Sequence, residues 1–107
     1  MSYSRGHVVW GTDPFGETDE RPWVILSDEK HPFHGEDYIV VPVTTTEWGE
    51  GIALASDSWE KGGVPADSWI KPWAVTQLLS DDITDYQGKL SDGTVTQVLQ
   101  SVVDYLT

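Results

Sequence analysis

The sequence has 107 residues, a formal net charge of -12 and no cysteine. Its length allows one hydrophobic core, so we expect residues 1–107 to form a single domain. The lack of cysteine excludes disulfides, a cysteine nucleophile and thiolate metal sites. No apolar run approaches membrane-spanning length, and the N-terminus lacks the apolar core of a signal peptide. We therefore expect a cytoplasmic protein with no membrane partner.

The acidic residues are spread through nearly every predicted loop, and in the whole sequence 18 Asp and Glu outnumber 6 Lys and Arg. Such a surface resembles that of proteins from a high-salt cytoplasm, because concentrated salt screens the repulsion between like charges. We infer a halophilic archaeal source. The same charge argues against a nucleic-acid partner in ordinary buffers, since a phosphate backbone is normally bound by a basic face, but this objection weakens as salt rises.

Short apolar runs bounded by turn residues predict strands along most of the chain. The predicted strands are His7–Trp10, Pro22–Ser27, Tyr38–Thr44, Gly51–Ala55, Ala66–Val75 (bent at Pro72) and Gly88–Leu90. Residues 56–63 are predicted to be a loop. From Ser91 onward apolar residues recur at helical spacing, with Ser91 or Asp92 as the N-cap. This pattern predicts a mainly β fold, a small antiparallel β-barrel capped by a C-terminal α-helix.

Several common kinds of site find little support. His31 and His34 lie in a proline-containing loop and no motif supplies a third ligand, so no metal site is expected. The glycines form no phosphate-binding motif, so no cofactor is expected. The acidic run Asp81, Asp82 and Asp85 is better explained as a solvated loop than as a catalytic pair. Of the tryptophans, three are predicted in the core (Trp10, Trp23, Trp73) and three near loops, where they can stack on a base (Trp48, Trp59, Trp69).

Arg21 is one of two arginines, and it lies where an acidic loop meets the second predicted strand. Two interpretations remain open from its position. One is a structural ion pair with a neighbouring acid, for which Glu17, Asp19 and Glu20 are the candidates. The other is an anion-binding site, because an arginine keeps its charge at any workable pH and can bind two phosphate oxygens at once.

Short motifs along the chain occur in a recognisable order. They are Gly6-His7-Val8-Val9-Trp10, Asp13-Pro14 with Gly16, Arg21-Pro22-Trp23-Val24-Ile25-Leu26-Ser27, Val41-Pro42-Val43-Thr44-Thr45, Pro65-Ala66-Asp67-Ser68 and Gly88-Lys89-Leu90 before the helix. In this order they resemble the MazF/PemK family of toxin–antitoxin toxins. The likeness covers nearly the whole chain, and the Arg-Pro strand is its most telling part.

The resemblance implies an SH3-like barrel, usually a homodimer, that cleaves single-stranded mRNA at short sequences without metal or cofactor. It also implies a cognate antitoxin as partner. Catalytic roles fall on Arg21 and Thr44, with Thr45 as the fallback for Thr44, and Asp67 matches an acidic position used in some members. The expected RNA contacts are Thr45, Thr46, Asp13, Phe15, Ser68 and Lys71.

The chemistry itself supports this distribution of roles. Attack of a ribose 2′-OH on the adjacent phosphorus needs a proton acceptor, a donor for the leaving 5′-oxygen and a cation facing the charged phosphate. Arg21 suits the cation's role. Thr44 is a poor base, so we assign it hydrogen bonding and proton relay, with Asp67 as its partner. No histidine is required, although His7 or His34 has the chemistry to serve.

Two departures from the family pattern limit the resemblance. His7 replaces an aspartate that often follows the first glycine, and few basic residues accompany Arg21, so we predict weak RNA binding at low salt.

One alternative is a CcdB-like toxin that binds a protein target such as DNA gyrase. Such a toxin acts through its C-terminal helix and has no need of Arg21 and Thr44, which favours the nuclease. A non-catalytic family member is the other alternative. Open strand edges in so small a barrel add support for a homodimer.

Overall fold

A computed structural model describes residues 2–16, 18–47, 49–64 and 66–107. In these ranges the chain forms mostly short strands, with one α-helix at its end. The elements are β1 (His7–Thr12), β2 (Glu20–Ile25), β3 (Asp37–Thr44), β4 (Ile52–Leu54), β5 (Trp59–Gly62), β6 (Ser68–Ile70), β7 (Thr76–Leu79), β8 (Ile83–Leu90) and α1 (Asp92–Leu106). Single 3-10 turns occupy Ser56–Ser58 and Ser80–Asp82. The predicted mainly β fold with a C-terminal helix is confirmed.

The strands form one antiparallel sheet in the order β4-β6-β3-β2-β1-β8-β5, with β7 added beside β3. Strand β3 is long enough to serve two neighbours on one edge. Its first half pairs with β7, whereas its last two residues, Val43 and Thr44, pair with Ile70 and Trp69 of β6. The sheet curls into a half-barrel, and one cavity is lined by residues of both end strands, β4 and β5.

Apolar residues cover both faces of the curled sheet, because successive strand residues point to opposite sides. On the inner face Val8 and Val24 pack with Leu90 and with the buried helix residues Val98 and Val102. On the outer face a second group of buried residues packs together, consisting of Val9, Trp23, Ile25, Tyr38, Val40 and Leu78. The Ser91 hydroxyl accepts a hydrogen bond from the Thr94 N–H at 3.4 Å, which confirms Ser91 as the N-cap of α1.

The structure corrects three predicted segments, one loop and two strands. Residues 56–63, predicted as a loop, contain β5, an edge strand that pairs with β8 and keeps its polar side chains exposed. Such an edge strand carries no apolar alternation for a sequence pattern to reveal. The strand predicted at 66–75 is two strands, because the chain turns at Pro72 and the Ala74 N–H bonds to the Lys71 carbonyl at 3.2 Å. Finally, β8 begins at Ile83 and not at Gly88, so Asp85 lies in a strand and not in a loop.

Within the described ranges, no helix is both long and apolar enough to cross a membrane.

Candidate functional site

A groove of about 380 Å³ opens where β1, β2 and the end of β3 meet. Its lining residues are Trp10, Thr18, Glu20, Arg21, Pro22, Val43, Thr44, Thr45 and Thr46. We call it the Arg21 groove. It brings together the arginine and all three threonines that the sequence analysis singled out, from segments more than twenty positions apart in the chain. The groove therefore combines one fixed cation with several hydroxyl groups.

Arg21 is held in place by a buried ion pair. It lies in β2 opposite Gly11 of β1, and only 6% of the residue is exposed. Its Nη2 atom donates to Oδ2 of Asp13 at 2.9 Å, and the ring of Phe15 lies 5.8 Å from the guanidinium carbon. The predicted ion pair therefore exists, with Asp13 as a partner that the sequence analysis did not name. The candidate Glu17 lies outside the described residues.

Asp13 organises the loop between β1 and β2. Its carboxylate accepts hydrogen bonds from the backbone N–H groups of Phe15 at 2.9 Å and Thr18 at 3.0 Å, in addition to Arg21. Burial alone would raise the pKa of this carboxyl, but the two backbone hydrogen bonds and Arg21 outweigh it and hold the pKa below its ordinary value. The sequence analysis assigned Asp13 to RNA contact, whereas this geometry gives it a structural role.

The three threonines follow one another where β3 leaves the sheet. Thr44, half-buried, is paired with Trp69 of β6, while Thr45 and Thr46 are exposed. The Thr46 N–H donates to Oγ1 of Thr44 at 3.1 Å. Because this bond occupies a lone pair of the Thr44 hydroxyl, it leaves the hydroxyl proton available for a ligand.

Trp10 and Glu20 line the groove, although the sequence analysis gave neither of them a role there. Trp10 was predicted in the core but is half-buried, and its Nε1 donates to Oε1 of Gln87 in β8. The Gln87 Nε2 in turn donates to the Gly63 carbonyl. Glu20 is exposed and is a lining residue of the same groove. Trp10 lies opposite Pro22 in the pairing of β1 with β2, which places it at the side of the groove. The sequence alone does not give this pairing register.

Asp67 lines a second cavity, of about 420 Å³, that we call the Asp67 pocket. Its lining residues are Leu54, Ala55, Ser56, Trp59, Gly62, Gly63, Val64, Ala66 and Asp67. A cleft of about 70 Å³ joins the two cavities, since it shares Thr44 with the Arg21 groove and shares Val64 and Ala66 with the Asp67 pocket. Thr44 and Asp67 are thus neighbours along one depression, each in its own compartment.

The remaining predicted contacts differ in accessibility. Phe15 is 49% exposed beside Arg21, so its ring is open to a ligand. Ser68 lines the connecting cleft, but it is only 4% exposed and its hydroxyl donates to the Ala66 carbonyl at 2.9 Å. Lys71 is half-buried and anchored by its backbone N–H to the Pro42 carbonyl at 3.0 Å. It is not among the described residues that line the Arg21 groove.

The two loop histidines make local contacts. The His31 Nδ1 accepts a hydrogen bond from the Phe33 N–H at 3.0 Å, and the His34 ring lies edge-on to Tyr38. In the part of the chain that the structure describes, no three His, Asp or Glu side chains are grouped to hold a metal ion.

The curled sheet, its C-terminal helix and the groove that joins an arginine to strand-end hydroxyls define a small, mainly β domain with one candidate site. The family model for the PemK-like, MazF-like toxin of the type II toxin–antitoxin system matches residues 4–106. The chain belongs to this family. The match does not favour the CcdB-like alternative.

Solved structures share the fold over nearly the whole chain. A mycobacterial endoribonuclease in complex with its cognate antitoxin has a TM-score of 0.75 at 21% identity, with 98% of this chain and 93% of that chain covered. A mycobacterial endoribonuclease has a TM-score of 0.76 at 20% identity, covering 99% and 92%. MazF in the MazE-MazF structure from Deinococcus radiodurans has a TM-score of 0.75 at 15% identity, covering 99% and 96%. Comparison with the curated proteins finds no match.

Proposed function

We propose that the protein is a metal-independent endoribonuclease toxin that cleaves single-stranded mRNA. The observation that carries the proposal is the meeting of Arg21 with Thr44, Thr45 and Thr46 in one groove. Family membership supports it, and solved proteins with this fold are endoribonucleases. We further propose that residues 1–107 act as one toxin domain, which the family match at 4–106 supports.

Arg21 binds the scissile phosphate in this mechanism. Asp13 holds the guanidinium in one orientation, so the charge is already in position when the substrate arrives. A preorganised cation stabilises the extra negative charge that develops on the phosphate oxygens in the transition state. Burial strengthens the effect, because a poorly solvated site screens the interaction less than water does.

The remaining steps move two protons. The 2′-oxygen forms a bond to phosphorus, the bond from phosphorus to the 5′-oxygen breaks, and the products are a 2′,3′-cyclic phosphate and a 5′-hydroxyl. We assign the role of proton acceptor for the 2′-OH to Glu20, an exposed residue that lines the Arg21 groove. The Thr44 hydroxyl donates a hydrogen bond to the leaving 5′-oxygen, and water supplies the proton that this oxygen retains.

The RNA lies along the depression on either side of Thr44. Thr45 and Thr46 donate hydrogen bonds to phosphate oxygens, and the exposed ring of Phe15 offers a stacking surface beside Arg21. Lys71 contacts the RNA on the β6 side, while Ser68, whose hydroxyl donates to the Ala66 carbonyl, shapes the connecting cleft. Asp67, which the sequence analysis assigned as a catalytic partner of Thr44, lines the neighbouring pocket, and that position suits contact with a base of the RNA.

We propose a cognate antitoxin as the protein partner, which covers the Arg21 groove and blocks RNA. The mycobacterial endoribonuclease bound to its antitoxin supports this proposal. We also propose a homodimer in the cytoplasm, as the family resemblance implies, in which the second copy covers an exposed sheet edge and leaves the Asp67 pocket between β4 and β5 open. Light scattering in molar KCl tests the dimer, and a monomeric mass at micromolar concentration would remove it.

A halophilic archaeal source remains our proposal. Most acidic side chains are exposed, and the net charge of -12 leaves the surface strongly self-repelling at low salt. Concentrated salt relieves this repulsion and also allows an acidic protein to approach RNA.

The proposed activity is tested by incubating a long single-stranded RNA with the protein in molar KCl and EDTA. We expect cutting at a few defined sites, with cyclic phosphate and 5′-hydroxyl ends. Intact RNA in the presence of folded protein would contradict the proposal and favour a non-catalytic family member.

A further inference from the structure

We propose that the Asp67 pocket holds a base next to the scissile phosphate and selects a base with an exocyclic amino group over uracil. The inference rests on the proposed RNA cleavage. It assigns Asp67 to substrate selection and leaves the bond-breaking step to the Arg21 groove.

The position of the pocket fits a base adjoining the reaction centre. Thr44 is paired with Trp69, and Asp67 precedes Trp69 by two residues. From strand geometry, the Cα atoms of Thr44 and Asp67 are therefore roughly 8 Å apart. The connecting cleft shares lining residues with both compartments, so the three cavities lie next to one another. A nucleotide with its phosphate at Arg21 is thus able to direct a neighbouring base into the pocket.

Trp59 gives the pocket a rigid aromatic side. It lies at the start of β5 opposite Leu90, and its ring packs against the inner core. The core contact holds the ring in place while it remains part of the pocket lining. Bases stack on such platforms whatever their identity, because each base has a π face. Trp59 therefore explains how a base is held, and Asp67 explains how it is chosen.

Asp67 offers hydrogen-bond acceptors alone. Its side chain is exposed at the pocket, and in the described part of the chain it has neither a hydrogen-bond nor an ion-pair partner. An ionised carboxylate accepts from the amino groups of adenine, cytosine and guanine, as acidic side chains do from cytosine N4. Uracil carries a carbonyl oxygen at C4, where cytosine carries its amino group, so it offers the carboxylate only the N3–H, and the carbonyl oxygens on either side of that N–H repel the carboxylate. A negative charge beside an RNA backbone is unfavourable unless it gains such a bond, which is why we assign it to base selection.

The rim of the pocket offers a second way to test it. Gly63 lines the pocket, its carbonyl is bonded to Gln87, and a Cβ added at this position meets no atom within 4 Å. A larger side chain is therefore accommodated by the fold and takes up space at the pocket lining. We expect Gly63→Val to raise KM, with little change in kcat, for RNA that carries uracil at the position of the selected base.

The experiment compares RNA oligonucleotides that contain the mapped cleavage site and differ by cytosine or uracil at each flanking position. For the wild type, we expect kcat/KM to favour cytosine over uracil at one position by about tenfold. Asp67→Asn should lower kcat/KM for the cytosine substrate towards the value for the uracil substrate. Asp57→Asn removes the same charge from an exposed residue outside the pocket lining and should keep the preference.

The outcomes separate this inference from the proposed function. An equal loss of kcat on both substrates in Asp67→Asn would make Asp67 catalytic and overturn the inference. An unchanged preference for cytosine in this variant would also overturn it. Cleavage by the wild type without any amino-base preference would also overturn it and leave the nuclease intact. Binding is measured in parallel with oligonucleotides that carry a 2′-deoxy sugar at the cleavage position, so that attack is impossible. Cytosine-selective binding without cleavage of normal RNA would keep the pocket and reject the nuclease.

Discussion

The carboxylate of Asp13 and the guanidinium of Arg21 form a buried ion pair, 2.9 Å from Oδ2 to Nη2. The same carboxylate binds the backbone N–H groups of Phe15 and Thr18, so one residue ties the β1–β2 loop to the cation of the groove. In a chain with a net charge of -12, this arrangement keeps a positive charge fixed at one place. The predictions that follow depend on this pair and on the threonines near it.

Asp13→Asn should destabilise the protein, because it removes the carboxylate from a buried ion pair with Arg21. Breaking a buried pair on one side typically lowers the free energy of unfolding by about 3 kcal/mol or more. Asp19→Asn, in the same loop but exposed, is the matched control and should change it by less than about 0.5 kcal/mol. Urea unfolding in molar KCl, followed by tryptophan fluorescence, measures both. Equal effects of the two variants would contradict the structural role of Asp13.

The same pair should contribute to the pH dependence of stability. Because the pKa of Asp13 is lowered on folding, the unfolded state binds more protons, and stability from this group rises with pH. The contribution is complete above the ordinary carboxyl value of 3.8 and is lost as pH falls through the lower folded pKa. The difference in unfolding free energy between wild type and Asp13→Asn should therefore be constant near neutral pH and shrink below about pH 4. A difference that shrinks already between neutrality and pH 5, or that persists in strong acid, would argue against this assignment.

Thr44→Val should lower kcat for RNA cleavage by about 100-fold, as expected for the loss of one hydrogen-bond donor to a transition state. Thr44→Ser keeps the hydroxyl and should restore most of the activity. Thr45→Val and Thr46→Val are the matched controls, since both residues line the groove but are exposed beyond the strand. We expect them to raise KM and to affect kcat less. A larger kcat loss in Thr45→Val would transfer the role to Thr45, the fallback that the sequence analysis named.

RNA binding should respond unusually to salt. The few basic residues outside the groove and the exposed acid predict weak binding at low salt, with no steep loss of affinity as KCl rises. The thermal midpoint of unfolding should rise over the same range, because salt screens the repulsion among surface carboxylates. Filter binding and thermal unfolding across a KCl series measure the two effects. Tight binding at low salt that falls steeply with added KCl would contradict the prediction.

Local patterns were enough to predict the elements that carry a periodic apolar face. The first three strands carry short apolar runs, and the helix repeats its apolar residues at helical spacing after its serine cap. The edge strand β5 was missed because its polar residues face solvent and its stability comes from pairing with β8. The candidate site divides in the same way between residues that local patterns reveal and features that depend on strand pairing. Arg21 and Thr44 were named from motifs, while the Asp13 partner, the Trp10 wall and the separate pocket of Asp67 depend on pairing between distant strands.

The central claim is tested most directly by cleavage of a long single-stranded RNA in molar KCl with EDTA, comparing wild type with Arg21→Ala. Arg5→Ala is the matched control, since Arg5 is the other arginine and pairs with Asp28 away from the groove. Because Arg21→Ala leaves Asp13 buried and unpaired, the double variant Asp13→Asn with Arg21→Gln is measured beside it, and near-ultraviolet circular dichroism checks the folding of each.

We predict cutting at a few defined sites by the wild type and by Arg5→Ala. In folded protein of either Arg21 variant, we predict loss of about 100-fold or more. Cleavage that survives in a folded Arg21 variant would contradict the assigned site, and no cleavage by folded wild type would contradict the nuclease itself.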